Sequence, residues 1–152
     1  IGNIEARTVA VYWPFRGEPS LRPWMEQLHA RGARCALPIV VERHAPLVFR
    51  SWWPGATMAR GIWNIPVPAD GIAVRPDIVV SPVVGFDATC YRLGYGGGFY
   101  DRTLQAMARK PLVIGVGFAM SSVPTIHPLP HDIPMDLIIT ESGCTPRPHR
   151  SA

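Results

Sequence analysis

The sequence predicts a three-layer α/β fold, αβα, with a mostly parallel sheet between helices, and three observations carry that expectation. Two segments run strand, helix, strand at the spacing of a βαβ unit, which requires parallel pairing and a right-handed crossover. Residues 112–118 are nearly unbroken in apolar character, as suits a strand covered on both faces. The 152 residues are 47% hydrophobic and 17% charged, enough apolar material for one core and too little charge for disorder. The chain is therefore expected to form a single domain over residues 1–152.

The first unit begins at residues 8–13, a β-branched and aromatic run read as a buried strand. Ser20 stands where a helix cap belongs, and Pro23 falls in the first turn. Leu21, Trp24, Met25 and Leu28 then repeat at i, i+3, i+4, i+7 and make one apolar face. Gly32 follows as the left-handed residue that ends the helix. Residues 35–41 give the next strand, and Pro38 within it predicts an early end or an edge position. Residues 47–53 form another strand, and residues 64–70, with two prolines, read as an extended connector. The second unit has a strand at 78–84, a glycine-rich loop, and a helix over 99–109 with Leu104, Met107 and Ala108 on its apolar stripe. The strand 112–118 and a proline-rich loop follow, and a last strand spans 137–140. The arrangement is Rossmann-like.

Composition also narrows the function. A net charge of +4 suits a small anionic ligand. No basic run with interleaved aromatics crosses the body of the chain, so nucleic acid is not an expected partner. The one dense basic stretch, Arg147, His149 and Arg150, reads as a frayed terminus. Cys35, Cys90 and Cys144 are odd in number and widely spaced, which fits reduced thiols and a cytoplasmic protein better than a disulfide framework or a zinc site. No apolar run approaches the roughly 20 residues a membrane helix needs, so no membrane is expected as a partner. Glu5, Arg7, Arg16 and Glu18 exclude a signal peptide from the first residues.

The segment 85–102 holds the chemistry. It follows a strand and opens a helix, and four of its five positions from Gly94 to Gly98 are glycine. Open α/β sheets bind ligands beyond the strands' carboxyl ends. Without Cβ atoms, backbone N–H groups can converge on an anion beside the positive helix start. Arg92 and Arg102 bracket the loop and can add charge-assisted bonds to phosphate. No Lys-Ser/Thr follows the last glycine, so this is not a Walker A loop. Phe99 occupies the position where a dinucleotide fingerprint needs a third glycine or alanine. The plain alternative is a tight strand-to-helix turn, though a run of glycines costs entropy that such a turn does not need. Asp101 falls in the first helical turn, where a carboxylate offsets the helix dipole or holds Mg²⁺ against a phosphate. Asp136 is the candidate second carboxylate, or simply a residue at the entry to a strand.

At this segment, Phe86-Asp87 through Arg92-Leu93-Gly94-Tyr95-Gly96-Gly97-Gly98-Phe99-Tyr100-Asp101-Arg102, the sequence resembles the 5-formyltetrahydrofolate cyclo-ligase family. Trp13 followed by Glu18, the turn from Gly61-Ile62 to Pro66, Pro130-His131-Asp132, Asp136-Leu137 and Thr140-Glu141 extend the likeness over nearly the whole chain. The resemblance implies ATP-dependent closure of 5-formyltetrahydrofolate to 5,10-methenyltetrahydrofolate. It implies that Arg92, Leu93, Gly94, Tyr95, Gly96, Gly97, Gly98, Phe99 and Tyr100 bind ATP, with Arg92 and Tyr100 in the chemistry. Trp13, Glu18, Tyr95, Gly96, Gly97, Gly98 and Phe99 would border the reduced folate, and Asp101 and Asp136 would hold Mg²⁺. His131 and Asp132 are given a structural role in their loop. The sequence departs from the family at Cys90, where a glycine is usual, and at Ser121 and Ser122, where a glutamine is common. An N-terminal helix bearing Lys and Arg is usual in the family, and nothing before Ile4 supplies one, so the chain is expected to lack it. The alternative reading is a relative that binds folate or nucleotide without turnover.

Overall fold

Every side chain from Thr8 to Tyr12 is buried, because both faces of this strand are covered. In the computed structural model, which describes residues 4–14, 18–93, 98–130 and 132–148, β1 (Thr8–Ala10) lies inside an eight-stranded sheet. Val9 and Val11 point to one face, where Met25 and Leu28 of α1 (Arg22–Ala30) meet them. Ala10 points to the other, against Phe49 and Val79.

Pro23 begins α1 as expected, but the cap is Leu21, whose carbonyl accepts from Met25 N at 2.9 Å. Ser20 is one residue too early and makes no capping bond, a correction to the sequence reading. The helix closes with Gly32 at φ +89°, its N–H on the His29 carbonyl and the Ala33 N–H on that of Leu28. That is the Schellman arrangement, and it needs a left-handed residue at this position.

The strands that follow are β2 (Arg34–Ile39), β3 (Val48–Trp52), β4 (Met58–Arg60), β5 (Pro66–Pro68), β6 (Ala73–Val74) and β7 (Ile78–Pro82). Then come β8 (Gly85–Phe86), β9 (Arg92–Leu93), α2 (Phe99–Ala106), β10 (Leu112–Val116), β11 (Leu137–Thr140) and β12 (Gly143–Pro146). The main sheet has the order β12-β11-β10-β7-β1-β2-β3-β6. Pairings from β11 through β10, β7 and β1 to β2 are parallel, and β12, β3 and β6 join antiparallel at the flanks. The mostly parallel three-layer expectation holds, since α1 packs on one face and Leu104 of α2 packs among Val113 and Ile138 on the other.

Four local expectations are corrected. Pro38 does not lie at an edge, since β2 is interior, but the strand does end early, at Ile39 and not at Val41. Its ladder to β1 stops at Ala36, so β1 does not call on the N–H that Pro38 lacks. Residues 64–70 are no plain connector, because Pro66–Pro68 pairs antiparallel with Met58–Arg60 to make a hairpin. Helix α2 ends at Ala106 instead of Arg109, with Lys110 Nζ donating to the freed Leu104 carbonyl at 2.6 Å. Arg147, expected in a frayed tail, donates its N–H to the Asp136 carbonyl at 2.8 Å and extends the β12 pairing; His149 and Arg150 lie outside the described residues.

The order of strands fixes where a ligand can enter. From β1 the chain crosses to β2 on one side, and from β7 it crosses to β10 on the other. Between β1 and β7 the winding reverses, and the two carboxyl ends part to leave a crevice. Trp13, just past β1, and the β8–β9 hairpin after β7 both follow strands that end there. An apolar cavity of about 410 Å³ lies elsewhere, on the α1 face between Trp24, Leu28, Ile114 and Val116. With Arg31 as its one charged lining residue, it offers little to an anionic substrate.

Candidate functional site

The loop after β7 starts as a small hairpin, β8 against β9, and Asp87 organises its turn. Its buried carboxylate accepts from Thr89 N at 3.0 Å, Thr89 Oγ1 at 2.6 Å and Tyr91 N at 3.2 Å through Oδ1. Oδ2 accepts from Ile126 N at 3.3 Å, tying in the long loop after β10. Burial alone would raise its pKa; the hydrogen bonds from Thr89, Ile126 and Tyr91 outweigh that and hold it below the usual carboxylate range. Cys90, the departure from glycine, sits in this turn at φ +65°, fully buried. It adopts the left-handed backbone that glycine takes without strain.

The hairpin delivers Arg92 to the start of α2. The guanidinium is buried, with the residue 8% exposed, and its Nη2 donates to Asp101 Oδ1 at 2.9 Å. It also lies over the Tyr100 ring, 5.4 Å from the centroid. Among the described residues Nη1 has no partner, although it too is shielded from solvent. Burial pulls the Arg92 pKa down, while Asp101, Tyr100 and Asp132 push it back toward the charged form. An unpaired donor on a buried cation is costly unless something else meets it.

Gly98 caps α2 in the left-handed region, φ 64° and ψ 19°, with no side chain satisfying the first N–H groups. The helix start and Arg92 Nη1 together present positive charge and free donors at one place. Tyr100 packs against the cluster of Ala10, Ala36, Phe49 and Val79 under this end. Desolvation raises its pKa well above the ordinary phenol value; Arg92 opposes the rise, and Glu18 and Tyr12 add to it. The phenol is thus a neutral hydrogen-bond donor, not a base. Glu18 acts in the same direction on Tyr12, after burial, so its charge is felt at the β1 exit and at the α2 start alike. Trp13, half-buried, carries the Arg22 guanidinium 4.5 Å above its ring.

The structure therefore gathers Arg92, Gly98, Phe99, Tyr100 and Asp101 at the amino end of α2, and Glu18 close enough to act on Tyr100. Gly94, Tyr95, Gly96, Gly97 and His131 lie outside the described residues. Leu93 is exposed beside them. The two expected metal carboxylates each have partners of their own. Asp101 Oδ1 also accepts from Ile133 N at 3.1 Å. Asp136 Oδ2 accepts from Val113 N at 2.7 Å, near the amino end of β10, and its Oδ1 faces Arg147 at 3.9 Å. Among the described residues, no group of three or more His, Cys, Asp or Glu converges as a metal cluster.

One feature of the site escaped the sequence reading. Trp63, at the tip of the β4–β5 hairpin, stands 5.7 Å from Phe99 in an edge-to-face contact. The signal available was the frame Gly61 to Pro66, which marks a tight turn but not which side chain it presents.

Comparison with known proteins gives the family. Residues 3–141 match the model of the 5-formyltetrahydrofolate cyclo-ligase family. The 5-formyltetrahydrofolate cyclo-ligase of Escherichia coli K12 is 34% identical over 146 residues, covering 91% of this chain and 80% of that protein. The enzyme of that name from Mycolicibacterium smegmatis is 34% identical over 147 residues, covering 91% and 75%. The NMR structure of Aquifex aeolicus 5,10-methenyltetrahydrofolate synthetase superposes with a TM-score of 0.78 at 29% identity, covering 97% of this chain and 75% of that one. The chain belongs to the 5-formyltetrahydrofolate cyclo-ligase family.

Proposed function

We propose that the protein is an ATP-dependent ligase that closes 5-formyltetrahydrofolate to 5,10-methenyltetrahydrofolate, releasing ADP and phosphate. The observation that carries the reading is Arg92: a buried guanidinium with one unpaired amino group beside an uncapped helix start. A phosphate oxygen would satisfy both, and Asp101 would keep the guanidinium planar and aimed. The family's relatives, named for this reaction, support the substrate.

An amide-like formyl oxygen is a poor leaving group, so it must first be activated. It attacks the γ-phosphate of ATP, breaking the bond to ADP and forming an imidoyl phosphate. N10 then attacks that carbon, and phosphate departs with the oxygen. Both steps need positioning and charge stabilisation, not a protein nucleophile. Arg92 would stabilise charge building on the transferred phosphoryl group. Tyr100, held neutral, would donate a hydrogen bond, while Leu93 and the glycine run 94–98 would cradle the phosphates. Trp13, Glu18 and the Tyr95 to Phe99 stretch would border the folate across the crevice.

Asp101 fits Mg²⁺ in part, since its Oδ1 is committed to Arg92 and Ile133 while its Oδ2 makes no hydrogen bond among the described residues. Mg²⁺ there would supply charge neutralisation on the phosphates. Asp136 fits less well, because it would have to release Val113 N or reach through water. Cys35 and Cys90 are buried free thiols, and burial pushes the Cys35 thiol up to about 11. Inert thiols of this kind accord with a cytoplasmic place for the reaction.

The test is an absorbance assay for 5,10-methenyltetrahydrofolate with 5-formyltetrahydrofolate and ATP supplied. Product formation that requires ATP is the expected result. Tight folate or ATP binding with no product under any divalent cation would reduce the protein to a binding relative.

A further inference from the structure

We infer that Tyr12 is a positioning residue, whose phenol fastens the segment entering α1 and so holds Glu18 in place for the reduced folate. The inference rests on the proposed reaction, and it gives Tyr12 no contact with substrate. Tyr12 acts through Glu18.

Glu18 needs such a hold, because it belongs neither to the sheet nor to α1. Among the described residues, none of Trp13, Pro14, Glu18, Pro19 and Ser20 takes part in a backbone–backbone hydrogen bond. Pro14 and Pro19 have no N–H to contribute. Tyr12, by contrast, is firmly seated. It follows Val11, whose N–H donates to the Ala36 carbonyl at 2.9 Å. Its side chain is 2% exposed, in the cluster of Val9, Met25, Leu28 and Leu37. From there its hydroxyl donates to the Pro19 carbonyl at 2.7 Å.

Two constraints then meet at Glu18. Pro19 confines the backbone of the residue before it to extended conformations. The hydroxyl fixes the peptide plane on the far side of Pro19. Burial is the main cause of the raised pKa at Tyr12 and at Tyr100, and Glu18 adds to the rise at both. Glu18 therefore lies close to the phenol that holds its segment and to the phenol at the start of α2. A buried tyrosine commonly turns its hydroxyl to a nearby carbonyl, and that alone implies only stability. What sets this bond apart is its acceptor, which belongs to the residue after Glu18 and to no ladder or helix. Its loss frees that segment first.

The experiment is a double-mutant cycle of Tyr12→Phe and Glu18→Ala in steady-state turnover. Folate and ATP are titrated separately, and a melting temperature is recorded for each protein. Phenylalanine keeps the buried ring and removes only the hydroxyl. Tyr12→Phe should raise the folate KM about fivefold, the size of one lost hydrogen bond, and leave the ATP KM within about twofold. Glu18→Ala should raise the folate KM further. In that background Tyr12→Phe should add less than about twofold, because the group it positions is gone. Tyr12→Leu, which removes the ring as well, should melt lower than Tyr12→Phe yet show the same folate KM. A KM that follows the melting temperature through these two variants makes Tyr12 a core residue only and overturns the inference. So does an unchanged folate KM in Tyr12→Phe or in Glu18→Ala, an equal rise for folate and ATP, or an equal effect with and without Glu18. A Tyr12→Phe protein that does not fold overturns it too, since the hydroxyl then serves the fold as a whole. Wild-type protein that makes no product fails the proposed reaction instead, a separate outcome. Isothermal titration of 5-formyltetrahydrofolate and of ATP then carries the same cycle.

Discussion

Helices α1 and α2 are similar in length, at nine and eight residues, and both begin without a side-chain cap. They nevertheless do different work. Helix α1 is held by its flank, with Met25 and Leu28 buried against Val9, Val11 and Leu37. The cation at its start, Arg22, is exposed and lies over the Trp13 ring. Helix α2 also has a buried flank, Thr103 and Leu104, but its start faces a buried guanidinium that is half paired. An uncapped helix start is therefore no mark of a site by itself. What separates the two is a buried cation with a donor unmet among the described residues, a place that suits an anion.

The sharpest way to break this comparison is to remove the cation. Arg92→Ala should abolish measurable ATP binding in calorimetry and lower stability by about 3 kcal/mol, because Asp101 is left without its partner. Arg22→Ala at the equivalent end of α1 should cost no more than about 1 kcal/mol and leave ATP affinity unchanged. Equal losses in the two variants would erase the distinction. Asp101→Ala comes next, with an expected cost of about 2 kcal/mol, since it strands both Arg92 Nη2 and Ile133 N. That exceeds the few tenths to about 1 kcal/mol of a simple helix-dipole carboxylate. Turnover should fall sharply and the Mg²⁺ titration should shift; an unchanged Mg²⁺ midpoint would make Asp101 a partner of Arg92 alone.

Asp136→Ala should cost about 1 kcal/mol in a denaturant melt through the lost Val113 N–H acceptor. Its effect on the Mg²⁺ midpoint should be smaller than that of Asp101→Ala, and the reverse order would make Asp136 the principal ligand. The smallest effect concerns acid. The Asp87 carboxyl is held below its unfolded value, so its stabilisation is complete above the unfolded pKa, near 4, and is lost as pH falls through the folded value. Asp87→Asn keeps an acceptor for Thr89 and Tyr91 but turns a donor toward Ile126 N. It should cost about 1 kcal/mol at neutral pH and flatten the decline of stability below about pH 4. A melt whose acid limb is unaltered would assign that limb to other carboxylates.

The sequence by itself determined the layers and the parallel core, and it pointed to the segment proposed as the site. Period and composition suffice for these, because β-branched runs such as 78–82 and 112–116 can be buried only between two covered faces. The glycine run marked the site because glycines remove Cβ atoms where a backbone must approach a ligand. Left open were the pairings made at distance. Pro38 was misread as an edge because a missing N–H matters only where a neighbour asks for it, and β1 ends two residues short. Arg92 and Asp101 were each legible, but not their ion pair or the unpaired Nη1 that it leaves. Asp136 was read as a candidate metal ligand, but not as the acceptor for Val113 N that the fold makes it. Trp63 was marked only by the turn from Gly61 to Pro66, since its contact with Phe99 joins residues 36 apart in the chain. Local sequence sets which backbone states and faces are cheap. Which donors and acceptors finally meet, and which are left waiting for a ligand, depends on the tertiary structure, because those partners lie far apart along the chain.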